Sequence, residues 1–288
     1  GELYNAMIHP YTVGPMALSG FAWYQGEANA KGQASADAYA CQFPAMISSW
    51  RDKFAVPEAF FGFVQLSTSC PKDPTAPAEL REAQMKALNL PGGKVGYSTN
   101  ADHGAGCNVH PPNKGPCGIR LGNSALALNY GKSLHWKSPS YAGVSEVKAW
   151  HIPVAQLRGN TRQNILTVTM KLSDVGNLGL RVQEPFNLLN GTLDCSAQVP
   201  GTCAYGAIEI EDEGWINATA SVKNMNMILT AVTSNPTPKV LGTAYGWGSV
   251  PMLNIYDKET DLPVLPWKQS VHVAIGGREE GLSLEFHL

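Results

Sequence analysis

A-F-F-G-F-V-Q-L, residues 59–66, is an apolar run broken only by Gly62 and Gln65. Its length and lack of helical spacing read as a buried β-strand. Residues 78–89 (A-E-L-R-E-A-Q-M-K-A-L-N) read as the helix that follows. Upstream, residues 18–24 form a second strand-like run that contains Trp23 and Tyr24 and ends at Gln25-Gly26. Tyr39, Phe43, Met46, Ile47, Trp50 and Phe54 then fall on one face of a 3.6-residue period, with Pro44 as a kink or first-turn residue. Downstream, Val95 to Thr99 is a short strand that enters a Gly-rich loop at 102–117. A helix is expected over 118–130, with Ile119, Leu126 and Tyr130 facing inward and Gly131 suited to its C-cap. Strands alternating with helices indicate an α/β sheet.

From about Ser138 the helical period disappears and alternation replaces it. Leu166, Val168, Met170 and Leu172 face one way, and Thr167, Thr169 and Lys171 the other. Similar runs at 206–212, 225–232, 239–245 and 271–275, separated by turn residues, predict an antiparallel sandwich or barrel. The expected division is 1–137 for the α/β part and 138–288 for the β-rich, sandwich-like part. For 288 residues, one large domain or two smaller ones fit, at roughly 100–200 residues each.

Lys and Arg number 21 against 23 Asp and Glu, a net charge of −2 with no basic block. That balance argues against nucleic acid or an anionic membrane as the main partner. No run approaches the ~20 apolar residues of a membrane span. The sequence opens G-E-L-Y-N-A-M-I-H-P without a signal-like segment, so a processed or partial chain is expected. No C-x-x-C pair occurs and the histidines do not cluster with carboxylates at ligand spacing, so neither a metal nor a cofactor is implied. Of the six cysteines, the short spacings favour Cys107 with Cys117 and Cys195 with Cys203, leaving Cys41 with Cys70; six free thiols are the alternative. Sequons at Asn190-Gly191-Thr192 and Asn217-Ala218-Thr219, with an even cysteine count and low charge, favour a lysosomal or secreted glycoprotein.

Two blocks carry chemistry. In W-Y-Q-G-E-A-N (23–29), a strand ends in an amide, a bare glycine N–H and a carboxylate. Such a loop can serve an oxyanion and orient a base; its bland reading is a turn with Glu27 at a helix N-terminus. In C-N-V-H-P-P-N-K (107–114), His110 sits in a loop stiffened by two prolines, as a general base could or as a plain surface histidine. His9, in L-Y-N-A-M-I-H-P, reads as structural.

These blocks occur in order with C-x-F-P-A-M-I-x-x-W-R (41–51), F-G-F-V-Q-L-S-T (61–68), L-R-E-A-Q (80–84) and R-L-G-N-S-A-L-A-L-N-Y-G (120–131). Together they resemble the sialate O-acetylesterase family of the SGNH (GDSL-like) hydrolases across nearly all of residues 1–131, and more weakly near 244–263. The resemblance implies part of a three-layer α/β/α domain followed by a β-rich tail. It also implies a serine esterase that removes O-acetyl groups from sialic acid or a related acetylated sugar through an acyl-enzyme. By motif, His110 is the base, Glu27 the triad acid, and Gln25, Gly26 and Asn29 line the oxyanion and substrate side. Many SGNH enzymes carry Asp three residues before the histidine. Here that residue is Cys107, so Asp102, in N-A-D-H-G, is the second candidate for the acid.

The family's nucleophile lies in a G-Q-S-N-M type block, which this sequence does not contain; nor does it contain G-D-S or G-x-S-x-G. Ser19 and Ser124 are the nearest imitations and lack a nucleophile's setting. The expectation is therefore an enzyme active only with an N-terminal segment or chain of the same precursor. The contrasting reading is a non-catalytic extracellular glycan-binding or structural protein, whose Trp215, Trp247 and Trp267 are sugar platforms or core.

Overall fold

The structure, a computed structural model, describes residues 1–14, 16–151, 163–189, 195, 199–271 and 286–287. Two short helices, α1 (Glu2–Met7) and α2 (His9–Thr12), open the chain without a buried side chain; His9 is on this exposed segment. Then come β1 (Gly20–Trp23), α3 (Gln33–Lys53), β2 (Phe60–Gln65), α4 (Ala76–Met85), β3 (Val95–Thr99) and α5 (Gly115–Leu128). The three strands form a parallel sheet in the order β1-β2-β3. Parallel neighbours need crossovers, and α3 and α4 provide them. All six residues of the central β2 are buried. On one face, Tyr39, Phe43 and Ile47 of α3 and Leu80 of α4 pack with Phe61, Phe63 and Tyr97. Pro44 lies inside α3 and neither ends nor begins it.

On the other face, α5 approaches over two glycines. A Cβ on Gly96 would lie 2.7 Å from Ser124 Oγ, and one on Gly62 2.9 Å from Leu121 Cδ1. The helix thus presents Cys117, Arg120 and Ser124 to the interior. Ile119, Leu126 and Tyr130, expected inward, are 68%, 40% and 63% exposed. Close approach and the buried charge of Arg120 select the inner face, overriding apolarity. Gly131, at φ +63°, lies beyond the cap residue Asn129 and takes the left-handed turn open to glycine.

The rest of the chain is β-rich: β4 (Ser140–His151), β5 (Asn164–Ser173), β6 (Leu180–Val182), the short α6 (Phe186–Leu189), β7 (Cys203–Ala204), β8 (Gly206–Ile210), β9 (Gly214–Lys223), β10 (Asn226–Thr233), β11 (Val240–Tyr245), β12 (Val250–Pro251), β13 (Ile255–Asp257), β14 (Trp267–Ser270) and β15 (Phe286–His287). Eight of these strands make one sheet in the order β14-β11-β8-β9-β10-β5-β4-β15. Its pairings are antiparallel except that of β15 with β4. Alternation in β5 buries Leu166, Val168 and Met170, as the period of two requires. Leu180 of β6 and Ile255 of β13, a separate antiparallel pair, complete this core. Of the run at 271–275, all but Val271 lies outside the described residues.

The two cores interlock. Ala101, just past β3, belongs to the β-rich core, and Leu265 belongs to the α/β core. Arg81 of α4 is fully buried between them. It donates to the carbonyls of Leu66 (2.8 Å), Ser67 (2.7 Å), Gly248 (2.7 Å) and Ser249 (3.1 Å). With carbonyls alone around it, burial lowers its pKa to about 9. Among the described residues, no helix is long and apolar enough to cross a membrane.

Candidate active site

The carboxyl ends of β1, β2 and β3 share one edge of the sheet, where open α/β folds place their ligands. β1 runs out into Tyr24-Gln25-Gly26, and Glu27–Asn29 form a 3-10 turn. Gly26 has φ +149°, and a Cβ there would meet Leu80 at 3.0 Å and Leu66 at 3.2 Å, so only glycine fits. Gln25 and Asn29 come together: Gln25 Nε2 donates to Asn29 Oδ1 at 2.9 Å. Tyr39 donates to Gln25 Oε1 (3.2 Å) and Gln84 Nε2 to the Gln25 carbonyl (3.2 Å), which fixes the loop from the side of α3 and α4. Glu27 is half-buried, and its carboxylate has no hydrogen bond or ion pair among the described residues.

The L-R-E-A-Q block is a clamp on this edge. Beyond the Arg81 bonds, Gln84 Oε1 accepts from Leu66 N–H (3.0 Å) and Gln84 Nε2 also donates to the Val64 carbonyl (3.2 Å). The sequence presents Arg81 and Gln84 as ordinary helix residues; their i, i+3 spacing on one face is the one signal of a shared task.

At the end of β3, Asn100 Nδ2 donates to Tyr24 Oη at 3.2 Å. Asp102 is fully buried and held bidentately by Arg120 (2.7 and 2.8 Å), with Tyr256 Oη donating at 3.1 Å and His103 Nδ1 at 3.0 Å from Oδ2. Burial pushes this carboxyl up, but the Arg120 guanidinium, its hydrogen bonds and His103 outweigh it and hold Asp102 well below the usual carboxylate range. His103, which the sequence reading passes over, is 8% exposed and stacks against Phe186 at 4.4 Å.

The loop then bends back over β2. A Cβ on Gly104 would overlap Thr68, and the Gly104 N–H donates to Asn187 Oδ1 at 2.6 Å. Cys107 is bonded to Cys70, just past β2. His110 is exposed. Its backbone N–H donates to Asn108 Oδ1 (2.9 Å), and its ring has no hydrogen-bond partner among the described residues. Lys114 Nζ donates to the Pro111 carbonyl (2.7 Å) and stands 5.6 Å over the Tyr24 ring. Tyr24 therefore joins the two chemistry-bearing blocks. No hydrogen bond links His110 to Glu27 or to Asp102; Asp102 is committed to His103 and Arg120. Ser19 is exposed just before β1, at the opposite end of that strand from Gln25, and Ser124 is buried with its hydroxyl donated to Leu121 O at 2.8 Å.

The disulfides are Cys70–Cys107 and Cys195–Cys203. The expected pairs Cys107–Cys117 and Cys41–Cys70 are not formed. Cys117 is buried in α5 with its thiol on Lys114 O (3.2 Å), and Cys41 is exposed on α3. Asn217 is exposed on β9, whereas Asn190 lies outside the described residues. Trp267 is core, Trp247 is half-buried, and Trp215 is 38% exposed beneath Lys268 Nζ at 5.1 Å. Among the described residues, no three His, Cys, Asp or Glu side chains gather as a metal site.

Residues 1–116 match the model of the family described as carbohydrate esterase, sialic acid-specific acetylesterase. The chain is 51% identical over 73 residues to rat sialate O-acetylesterase, covering 23% of this chain and 13% of that protein. It is 35% identical over 155 residues to human sialate O-acetylesterase, 48% of this chain and 29% of that protein. A solved carbohydrate acetylesterase from Xanthomonas citri superposes with a TM-score of 0.65 at 28% identity, over 93% of this chain and 53% of that one. The matched region is thus under a third of the human relative and about half of the solved neighbour.

Proposed function

We propose, because residues 1–116 match the model of the sialic acid-specific acetylesterase family of carbohydrate esterases, that the chain is the base-bearing part of a serine-type esterase that removes O-acetyl groups from sialic acids. One observation carries this reading: Tyr24 joins the Gln25-Gly26-Glu27 loop, through Asn100 and Lys114, to the loop that bears His110. In the reaction, His110 takes the proton of a serine as it attacks the acetyl carbonyl, and returns it to the sugar oxygen as that leaves. The Gly26 N–H and the Gln25 amide face the developing oxyanion. Glu27, free of other partners, is the carboxylate available to orient His110, since Asp102 is saturated elsewhere.

The nucleophile belongs, in this reading, to polypeptide of the same precursor outside these 288 residues, because neither Ser19 nor Ser124 reaches the site. The chain divides at 137/138 into the hydrolase part and a β-rich part. A lysosomal or secreted glycoprotein is supported by the two disulfides and by the exposed sequon at Asn217. The contrasting reading, a non-catalytic glycan binder, is favoured by the unpaired ring of His110.

Fluorophosphonate labelling of the full-length protein, with sequencing of the labelled peptide and an assay on O-acetylated sialate, separates the two. Labelled serine with turnover that His110→Ala reduces by 10³-fold or more is the expected result. No label and no turnover would leave the binder.

A further inference from the structure

We propose that Lys114 is the specificity-determining residue of the proposed reaction: its ammonium receives the carboxylate of the acetylated sugar acid. Lys114 has this role only within the esterase reading above, to which it adds the group that tells a sialate from a neutral acetylated sugar.

The substrate class creates the need. A sialic acid carries a carboxyl group that is ionised at neutral pH, whereas the acetyl ester to be cleaved is neutral. Glu27 brings a carboxylate of the protein to the same edge of the sheet, so a second negative charge there calls for a counter-charge. The two motif loops, residues 23–29 and 107–114, contain one Lys or Arg between them, Lys114. Arg81 and Arg120 brace the same sheet edge but are buried and committed. Arg81 serves four carbonyls, and Arg120 serves Asp102 and the Thr99 carbonyl.

Lys114 is exposed and is held from two sides. Nζ donates to the carbonyl of Pro111, the residue after His110, at 2.7 Å. It also stands 5.6 Å over the ring of Tyr24, the residue before Gln25. The positive charge therefore sits between the loop of the proposed base and the loop of the proposed oxyanion donors. An ammonium has three N–H donors, and the Pro111 carbonyl uses one. Among the described residues, no carboxylate lies within ion-pair distance of it. The Tyr24 ring attracts the cation without neutralising it, which leaves two donors and the full charge for a ligand. Held this way, the side chain has already lost part of the rotamer freedom that binding costs.

The test removes the charge from each side of the contact in turn. The full-length protein is assayed, by acetate released, on O-acetylated N-acetylneuraminate and on the methyl ester of the same sugar, which is neutral. The parent should favour the free acid about tenfold in kcat/KM, the effect of one charge-assisted hydrogen bond. In Lys114→Met that preference should fall to about one, whatever the absolute rate, and Lys114→Arg should keep it. Added salt should narrow the preference of the parent and leave that of Lys114→Met as it is. A purely structural role in holding Tyr24 would change both rates by the same factor. A parent without preference for the acid, or a Lys114→Met that retains it, would overturn the role of Lys114 and leave the esterase reading standing. No turnover of either substrate by the parent would overturn both. Comparing acid and ester on the parent needs no variant, so a misfolded Lys114→Met would not leave the question open.

Discussion

Asp102 shows how one side chain joins distant parts of the chain. The N-A-D-H-G sequence marks it as chemically suggestive, but its partners Arg120 and Tyr256 lie 18 and 154 residues away, and no local pattern announces them. The bidentate guanidinium and the tyrosine hydroxyl fill both carboxylate oxygens, so Asp102 is a structural anchor and an orienting group for His103. Asp102→Asn preserves shape but leaves Arg120 charged, buried and unpaired, and should destabilise the fold by about 3–5 kcal/mol in urea unfolding. The pH dependence has a defined sign. The folded carboxyl sits below its unfolded value of about 3.9, so its contribution is complete above that value and is lost as pH falls through the folded one. Parent stability should therefore drop on acidification below about pH 4, with a shallower drop in the variant. Equal stability of the two proteins at pH 7 would contradict the anchor.

Among the elements, the loop between β3 and α5 is the one that carries the proposed base, His110. His110 is three residues after Cys107, whose bond to Cys70 ties this loop to the end of β2. A covalent tether thus stands three residues before His110, where the resemblance would have placed an aspartate. If the proposed esterase reading holds, Cys70→Ser with Cys107→Ser should lower the turnover of the full-length protein at least tenfold. Stability should fall by about 2–4 kcal/mol while the far-ultraviolet circular dichroism stays the same. Turnover unchanged in the double variant would remove the tether from catalysis. Strands β2 and β3 and helices α3 to α5 are legible in the sequence because short apolar runs and a 3.6-residue period report burial directly. The inner face of α5 is not, because Gly62 and Gly96 on neighbouring strands decide which side approaches. Nor is the Cys70–Cys107 disulfide, which joins residues 37 apart; nearness in sequence finds Cys195–Cys203 but also favours Cys107–Cys117, which the fold does not form. The two motif loops are readable as chemistry, but their meeting through Tyr24 requires the sheet order β1-β2-β3.

At the scale of the whole molecule, the composition break near residue 138 does not make two independent bodies. Ala101 and Leu265 are exchanged between the cores, and Arg81 spans the seam with two carbonyls on each side. A buried guanidinium without a carboxylate is tolerated because its hydrogen bonds are made to four carbonyls, of which that of Ser249 also takes the Ser69 N–H at 3.4 Å. Opening the seam would expose that charge and those carbonyls together, which couples the unfolding of the two halves. Calorimetry of the parent chain should therefore show one cooperative transition, with near- and far-ultraviolet signals coincident. Arg81→Met fills much of the same space but leaves the carbonyls of Leu66, Ser67, Gly248 and Ser249 without its donors. It should cost about 3 kcal/mol or more and split the transition in two, the α/β half melting first because its sheet has three strands against eight. Two separated transitions in the parent, or one undiminished transition in Arg81→Met, would show that the seam does not couple the halves.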